Sequence, residues 1–168
     1  DKYKQFMAGS KTERLCIDNV ISDLKKGGFK NITDVKKVSS GDKIYKNVKD
    51  KTVIAAVIGK DTKKWQLIGS HVDSPRLDLK PNPVYEDSNL GLIKTHYYGG
   101  VKKYHWVNTP LALHGVVFTK NGKKVTINIG DKLDEPKFII PDLLPHLAKN
   151  QMERKAPKRV EGEDLNIL

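Results

Sequence analysis

The chain has 168 residues, 38% of them hydrophobic, and a formal net charge of +11. That length suits one ordinary domain or two small pieces, and the composition lies between disorder and a self-contained core. It excludes a membrane-spanning class, because no apolar run reaches the length of a span, and a disulfide scaffold, because Cys16 is the single cysteine.

The charge invites a nucleic-acid reading, but the basic residues have the wrong character for it. Arginine reads bases and phosphates through its planar fork, and the arginines are Arg14, Arg76, Arg154 and Arg159 alone. The lysines are scattered along the chain, which fits a solvated surface and no nucleic-acid partner. The opening "DKYKQFMAGSKTER" has no apolar signal region, so a cytoplasmic protein is expected. The start at Asp1 and the apolar finish "GEDLNIL" suggest a piece of a longer protein.

In chain order, residues 10–26 predict an amphipathic helix. Ser10 and Glu13 have capping-box spacing, and Ile17, Val20, Ile21 and Leu24 give one apolar face. Cys16 lies in that pattern as a small buried hydrophobe. Gly27 and Gly28 end the helix. "FKNITDV" is a weak strand. Residues 42–48, 52–59 and 65–72 then predict three strands joined by "KDK" and "KDTKK", and the second, "TVIAAVIG", is apolar enough for burial on both faces.

The character changes after Pro81 and Pro83. "KPNPVYEDSN" predicts a loop or edge, since proline donates no ladder hydrogen bond. "LGLIKTHYY", "LALHGVVFTK" and "KKVTINIG" predict strands, the last two joined through Asn121-Gly122. Residues 141–155 predict a helix with Leu144, Ala148 and Met152 on one face and Pro145 in its first turn. "APKRVEGEDLNIL" predicts a polar loop entering a strand.

One short pattern carries chemistry. "WQLIGSHVDSP" places His71 and Asp73 at the end of an expected strand, where ligands of α/β sheets bind. Imidazole is a common zinc ligand, and a ligating histidine usually donates its other N–H to a carboxylate. In an extended backbone Asp73 shares a side with His71. On spacing alone, a structural, hydrogen-bonded histidine is the commoner outcome.

Further segments narrow the choice. "LIGSHVDSPRLDLKPNP", "YYGG", a tryptophan before "PLALHGVV", and "IPDLLPHLA" follow one another in the order found in the M18 family of zinc aminopeptidases, which the chain resembles from about Phe6 onward. The closest similarity is to its bacterial branch. The resemblance implies a portion of an α/β peptidase domain, a mixed sheet with helices, over residues 1–81. An incomplete, β-rich inserted dimerisation domain is implied over 82–168. It implies removal of N-terminal residues from peptide substrates by a metal-activated water, with two zinc ions per complete site and homo-oligomers built from dimers, commonly dodecamers.

Residue by residue, His71 matches a metal ligand and Asp73 the aspartate that orients it. His146 matches the histidine of a segment that approaches the partner subunit's active site. Asn150 stands where some members have a further histidine, and Asn108 and Thr109 replace an Asp-Arg pair of eukaryotic members, which weakens any implied preference for acidic N-terminal residues. The other ligands and the general base are expected beyond these residues, so the isolated chain is expected to be inactive. His96, His105 and His114 lie in the β-rich alternation and are expected to have surface or structural roles. The competing classes are a non-enzymatic oligomerisation module and a basic nucleic-acid-binding domain.

Overall fold

The computed structural model describes residues 1–61 and 63–168. They divide into two compact units, Asp1–Ser74 and Pro75–Leu168. No helix among them is long and apolar enough to cross a membrane.

The first unit opens with helix α1, Lys2–Gly9, capped where Asp1 Oδ1 accepts the Tyr3 N–H at 3.1 Å. Helix α2 spans Glu13–Lys26. Its start corrects the expected capping box. Ser10 closes α1, and its hydroxyl accepts from the Asn19 side chain at 3.1 Å. Thr12 caps α2 instead, accepting the Leu15 N–H at 3.3 Å. Cys16 and Ile17 are buried on the inner face. The expected glycine stop forms: Gly28 is left-handed (φ +82°), Phe29 N–H bonds Leu24 O at 3.0 Å and Gly28 N–H bonds Lys25 O at 3.0 Å.

Strands β1 (Lys30–Asn31), β2 (Lys43–Val48) and β3 (Thr52–Val57) form one sheet in that order, β1 parallel and β3 antiparallel to β2. The β2–β3 turn holds Lys49 and Asp50 at φ +55° and +56°. Asn47 and Asp50 exchange two hydrogen bonds across it, and Arg14 of α2 donates to Lys49 O at 3.0 Å, so the helix fixes the turn.

Two strand expectations fail here. β3 is not buried on both faces: Ile54 and Val57 are exposed, and β2 is its single partner among the described residues. The expected strand 65–72 is absent, because residues 64–75 are neither strand nor helix. A strand exists through its ladder partner, and none of the described residues supplies one. Trp65, Leu67 and Ile68 are 76%, 78% and 96% exposed. Thr62, in the expected "KDTKK" hairpin loop, lies outside the described residues.

The second unit begins with β4 (Arg76–Asp87) antiparallel to β5 (Leu90–Tyr98), its single ladder partner among the described residues, so of the loop or edge expected around Pro81 and Pro83 the edge strand forms. The prolines are accommodated because the register jumps between Leu79 and Val84, and in this bulge no ladder donor is required. The turn uses Ser88 and Asn89, both left-handed. β6 (Leu113–Phe118) and β7 (Lys124–Ile129) form the expected hairpin, with Gly122 at φ +81° in its turn.

The expected helix over 141–155 shrinks to α3, Lys149–Met152. Pro145 lacks an N–H and disfavours helical geometry at Leu144, so residues 145–147 form a turn. Ala148 is buried, but Leu144 and Met152 are exposed. The closing segment, expected to be a loop entering a strand, makes two 3₁₀ turns and then builds the core. Ile140, Val160, Leu165 and Ile167 are buried together, with Leu77, Ile93 and Trp106 packed around them. Ile167 bridges Ile93 of β5, and the buried Thr95 hydroxyl donates to Leu165 O.

Candidate metal centre

His71 lies in the irregular segment that follows β3. Its Nδ1 is 3.0 Å from Asp73 Oδ1 and 3.0 Å from the Asp73 carbonyl oxygen. A carbonyl oxygen can only accept, and so can an ionised carboxylate. A proton therefore sits on Nδ1, which donates to both, and in the neutral ring the lone pair lies on Nε2. The pairing expected from the sequence forms, although by a local turn and not along a strand. The His71 side chain is 84% exposed and that of Asp73 36%, so Nε2 is open to an incoming group.

This arrangement fits one ligand of a zinc-like ion. Neutral imidazole with its second nitrogen held by a carboxylate is the preferred donor, because the carboxylate fixes the ring and raises its basicity. It does not make a complete site: among the described residues no group of three or more His, Cys, Asp or Glu could hold a metal ion.

His146 is in the second unit, exposed, in the turn 145–147. Leu143, Leu144 and Leu147 around it are exposed as well. The remaining histidines have local partners. His96 stacks on Tyr97, His105 meets the Tyr104 ring edge-on, and His114 lies between Asn128 Oδ1 (3.1 Å) and Asp131 Oδ1 (3.2 Å). Sequence reading missed the surroundings of Pro75, where Arg76 lies over the Tyr98 ring and Gly99 backs onto the proline. The signal was present in the "YYGG" segment, but pattern alone gives no partner for it.

Residues 6–168 match the family model described as aminopeptidase I zinc metalloprotease (M18). The chain belongs to this family. A probable M18 family aminopeptidase 1 of Clostridium acetobutylicum is 47% identical over all of this chain, and one from Borreliella afzelii is 49% identical over the same extent. The crystal structure of an M18 aminopeptidase from Thermotoga maritima superposes with a TM-score of 0.91 at 41% identity, over 99% of this chain and 37% of that one. This M18 chain spans 37% of the length of those relatives.

Proposed function

We propose that the chain is part of a zinc-dependent aminopeptidase subunit that removes N-terminal residues from peptides. The observation that carries this reading is the His71–Asp73 pair, whose Nδ1–H is engaged twice and whose Nε2 is left for a ligand bond. His71 would hold the ion through Nε2, and Asp73 would orient the ring. A bound zinc ion supplies Lewis acidity and lowers the pKa of a water ligand toward about 7. A two-zinc site needs donors beyond this pair, so the isolated chain is expected to be inactive.

The same reading assigns residues 1–81 to the peptidase domain and 82–168 to an inserted dimerisation domain. Its support is the strand-rich second unit; the observed division falls between Ser74 and Pro75, ahead of β4, and not at residue 81. Homo-oligomers are proposed, up to a dodecamer, in the cytoplasm. A solved Saccharomyces protein sharing the fold at 23% identity is a dodecamer. Exposed Leu143, Leu144 and Leu147 beside His146 favour a contact surface there, and His146 is proposed to act toward the partner's site.

The test uses the full-length subunit. His71→Ala should lose one equivalent of zinc by elemental analysis and nearly all peptidase rate. Unchanged zinc content and rate would refute the assignment, and a wild-type subunit without stoichiometric metal would favour a pure assembly module.

A further inference from the structure

The turn between β6 and β7 carries a reactive pair that the proposed peptidase chemistry does not use. Asn121-Gly122 is the one Asn-Gly step in the 168 residues, and residues 119–123 are all exposed. An asparagine carboxamide is open to attack by the backbone nitrogen of the residue that follows it. Attack closes a five-membered ring, and a side chain on the attacking residue hinders the approach. Glycine has none.

The turn holds the Asn121 side chain for this reaction. Its Oδ1 accepts from the Lys123 N–H at 3.3 Å and from the Thr119 hydroxyl. A backbone N–H can only donate, so the carboxamide oxygen and not its NH2 group faces Lys123. The ring closed by that bond contains both Asn121 Cγ and the Gly122 nitrogen, so the carboxamide is folded back along the Gly122 peptide. The Thr119 hydroxyl shares its proton between Asn121 Oδ1 and Lys123 O, and accepts the Lys123 N–H at 3.1 Å. Two donors on Oδ1 polarise the Cγ carbonyl and lie where negative charge gathers when a nucleophile adds to it.

One bond opposes the attack. Gly122 N–H donates to Thr119 O at 2.8 Å and has to open first. In an exposed turn such opening costs little. Asn89 and Asn108 give the contrast. Both are exposed and left-handed, but Leu90 and Thr109 follow them, and those side chains shield the attacking nitrogen.

We propose that Asn121 is a site of spontaneous modification in the folded protein. The Gly122 nitrogen gives up its proton and adds to Asn121 Cγ. The N–Cγ bond forms, the Cγ–Nδ2 bond breaks, and ammonia leaves with the proton. Water then opens the cyclic imide. Opening at Cγ leaves an aspartate, and opening at the backbone carbonyl leaves an isoaspartate. The net change is amide and water to carboxylic acid and ammonia, with nothing oxidised or reduced. Aspartate keeps the turn, because the Thr119 and Lys123 donors meet a carboxylate oxygen where the amide oxygen was. Isoaspartate adds a backbone atom to the turn and breaks the pairing of Phe118 with Lys124.

The test is incubation of the full-length subunit at a fixed, mildly alkaline pH in heavy-oxygen water. Peptide mapping follows, with fragmentation that separates aspartate from isoaspartate. Residue 121 should accumulate both products, each with one solvent oxygen, while Asn89 and Asn108 stay intact. Gly122→Ala should slow the reaction by roughly tenfold, a barrier increase of about 1.4 kcal/mol. Gly122 has φ +81°, so alanine strains the turn. Where that variant does not fold, Asn121→Gln carries the test. It keeps the carboxamide, cannot close a five-membered ring, and should stay unmodified. Thr119→Val should slow the reaction severalfold and Thr119→Ser restore it, with the amide signals of β6 and β7 unchanged in both.

An intact Asn121, equal rates at Asn89 or Asn108, or a wild-type rate in Gly122→Ala would overturn the proposal. Aspartate without isoaspartate would overturn the cyclic route, since direct hydrolysis gives aspartate alone. A wild-type or faster rate in Thr119→Val would overturn the role given to its hydroxyl.

Discussion

At the scale of single residues, the proposed zinc binding depends on which nitrogen of His71 bears the proton. Asp73 supplies two acceptors to Nδ1, one of them a carbonyl that cannot donate. Asp73→Asn keeps an acceptor oxygen but removes the charge that raises ring basicity. It is expected to weaken zinc binding by the full-length subunit by roughly tenfold, with far-UV circular dichroism unchanged. Equal affinity by chelator competition would count against the carboxylate's role.

A second residue-scale prediction concerns Glu135. Its Oε2 accepts the N–H groups of Gly130 (2.9 Å), Asp131 (3.0 Å) and Lys132 (3.3 Å). The backbone bond from Gly130, then that from Lys132, holds its pKa below the ordinary glutamate value. A carboxylate depressed in the folded state stabilises the fold above its unfolded pKa, and that contribution is lost as pH falls through the folded pKa. Acid titration followed by NMR should show the amides of Gly130 and Lys132 shifting together, at a pH below that of a free glutamate. A titration midpoint at or above the free value would contradict this.

Among the elements, what was legible was what neighbours in sequence decide. The α2 stop at Gly27-Gly28, the Asn121-Gly122 hairpin and the β5 strand depend on local turn chemistry and alternation, and all three form. The N-terminus of α2 was misplaced because Ser10 and Thr12 both offer a hydroxyl near it, and the prior claim of α1 on Ser10 decides between them. Thr12→Ala should destabilise the first unit by about 1 kcal/mol in urea unfolding, whereas Lys11→Ala on the exposed surface should change little. The strand at 65–72 and the helix at 141–155 were not decidable in this way. The first needs a ladder partner from elsewhere, and the second is broken by Pro145 despite its apolar spacing. The His71–Asp73 contact was legible from its two-residue spacing. The Arg76–Tyr98 contact was not, because it depends on a register set by a bulged strand.

For the molecule as a whole, apolar side chains mark surfaces that the described residues leave uncovered. Trp65, Leu67 and Ile68 in the first unit and Leu143, Leu144 and Leu147 in the second are exposed. Contiguous exposed apolar surface favours association. The 168-residue chain should therefore enhance the fluorescence of a hydrophobic dye and sediment in a concentration-dependent manner. The full-length subunit should bind less dye per unit mass. A monomeric, dye-silent chain would show that these side chains are not a contact surface.

His71 is proposed to bind zinc through Nε2 while Asp73 holds Nδ1. Anomalous diffraction from crystals of the zinc-loaded full-length subunit tests it directly. A zinc peak is expected at about 2.0–2.1 Å from His71 Nε2, with Asp73 still on Nδ1. A zinc ion bound through Nδ1, or a site that His71 does not enter, would contradict it.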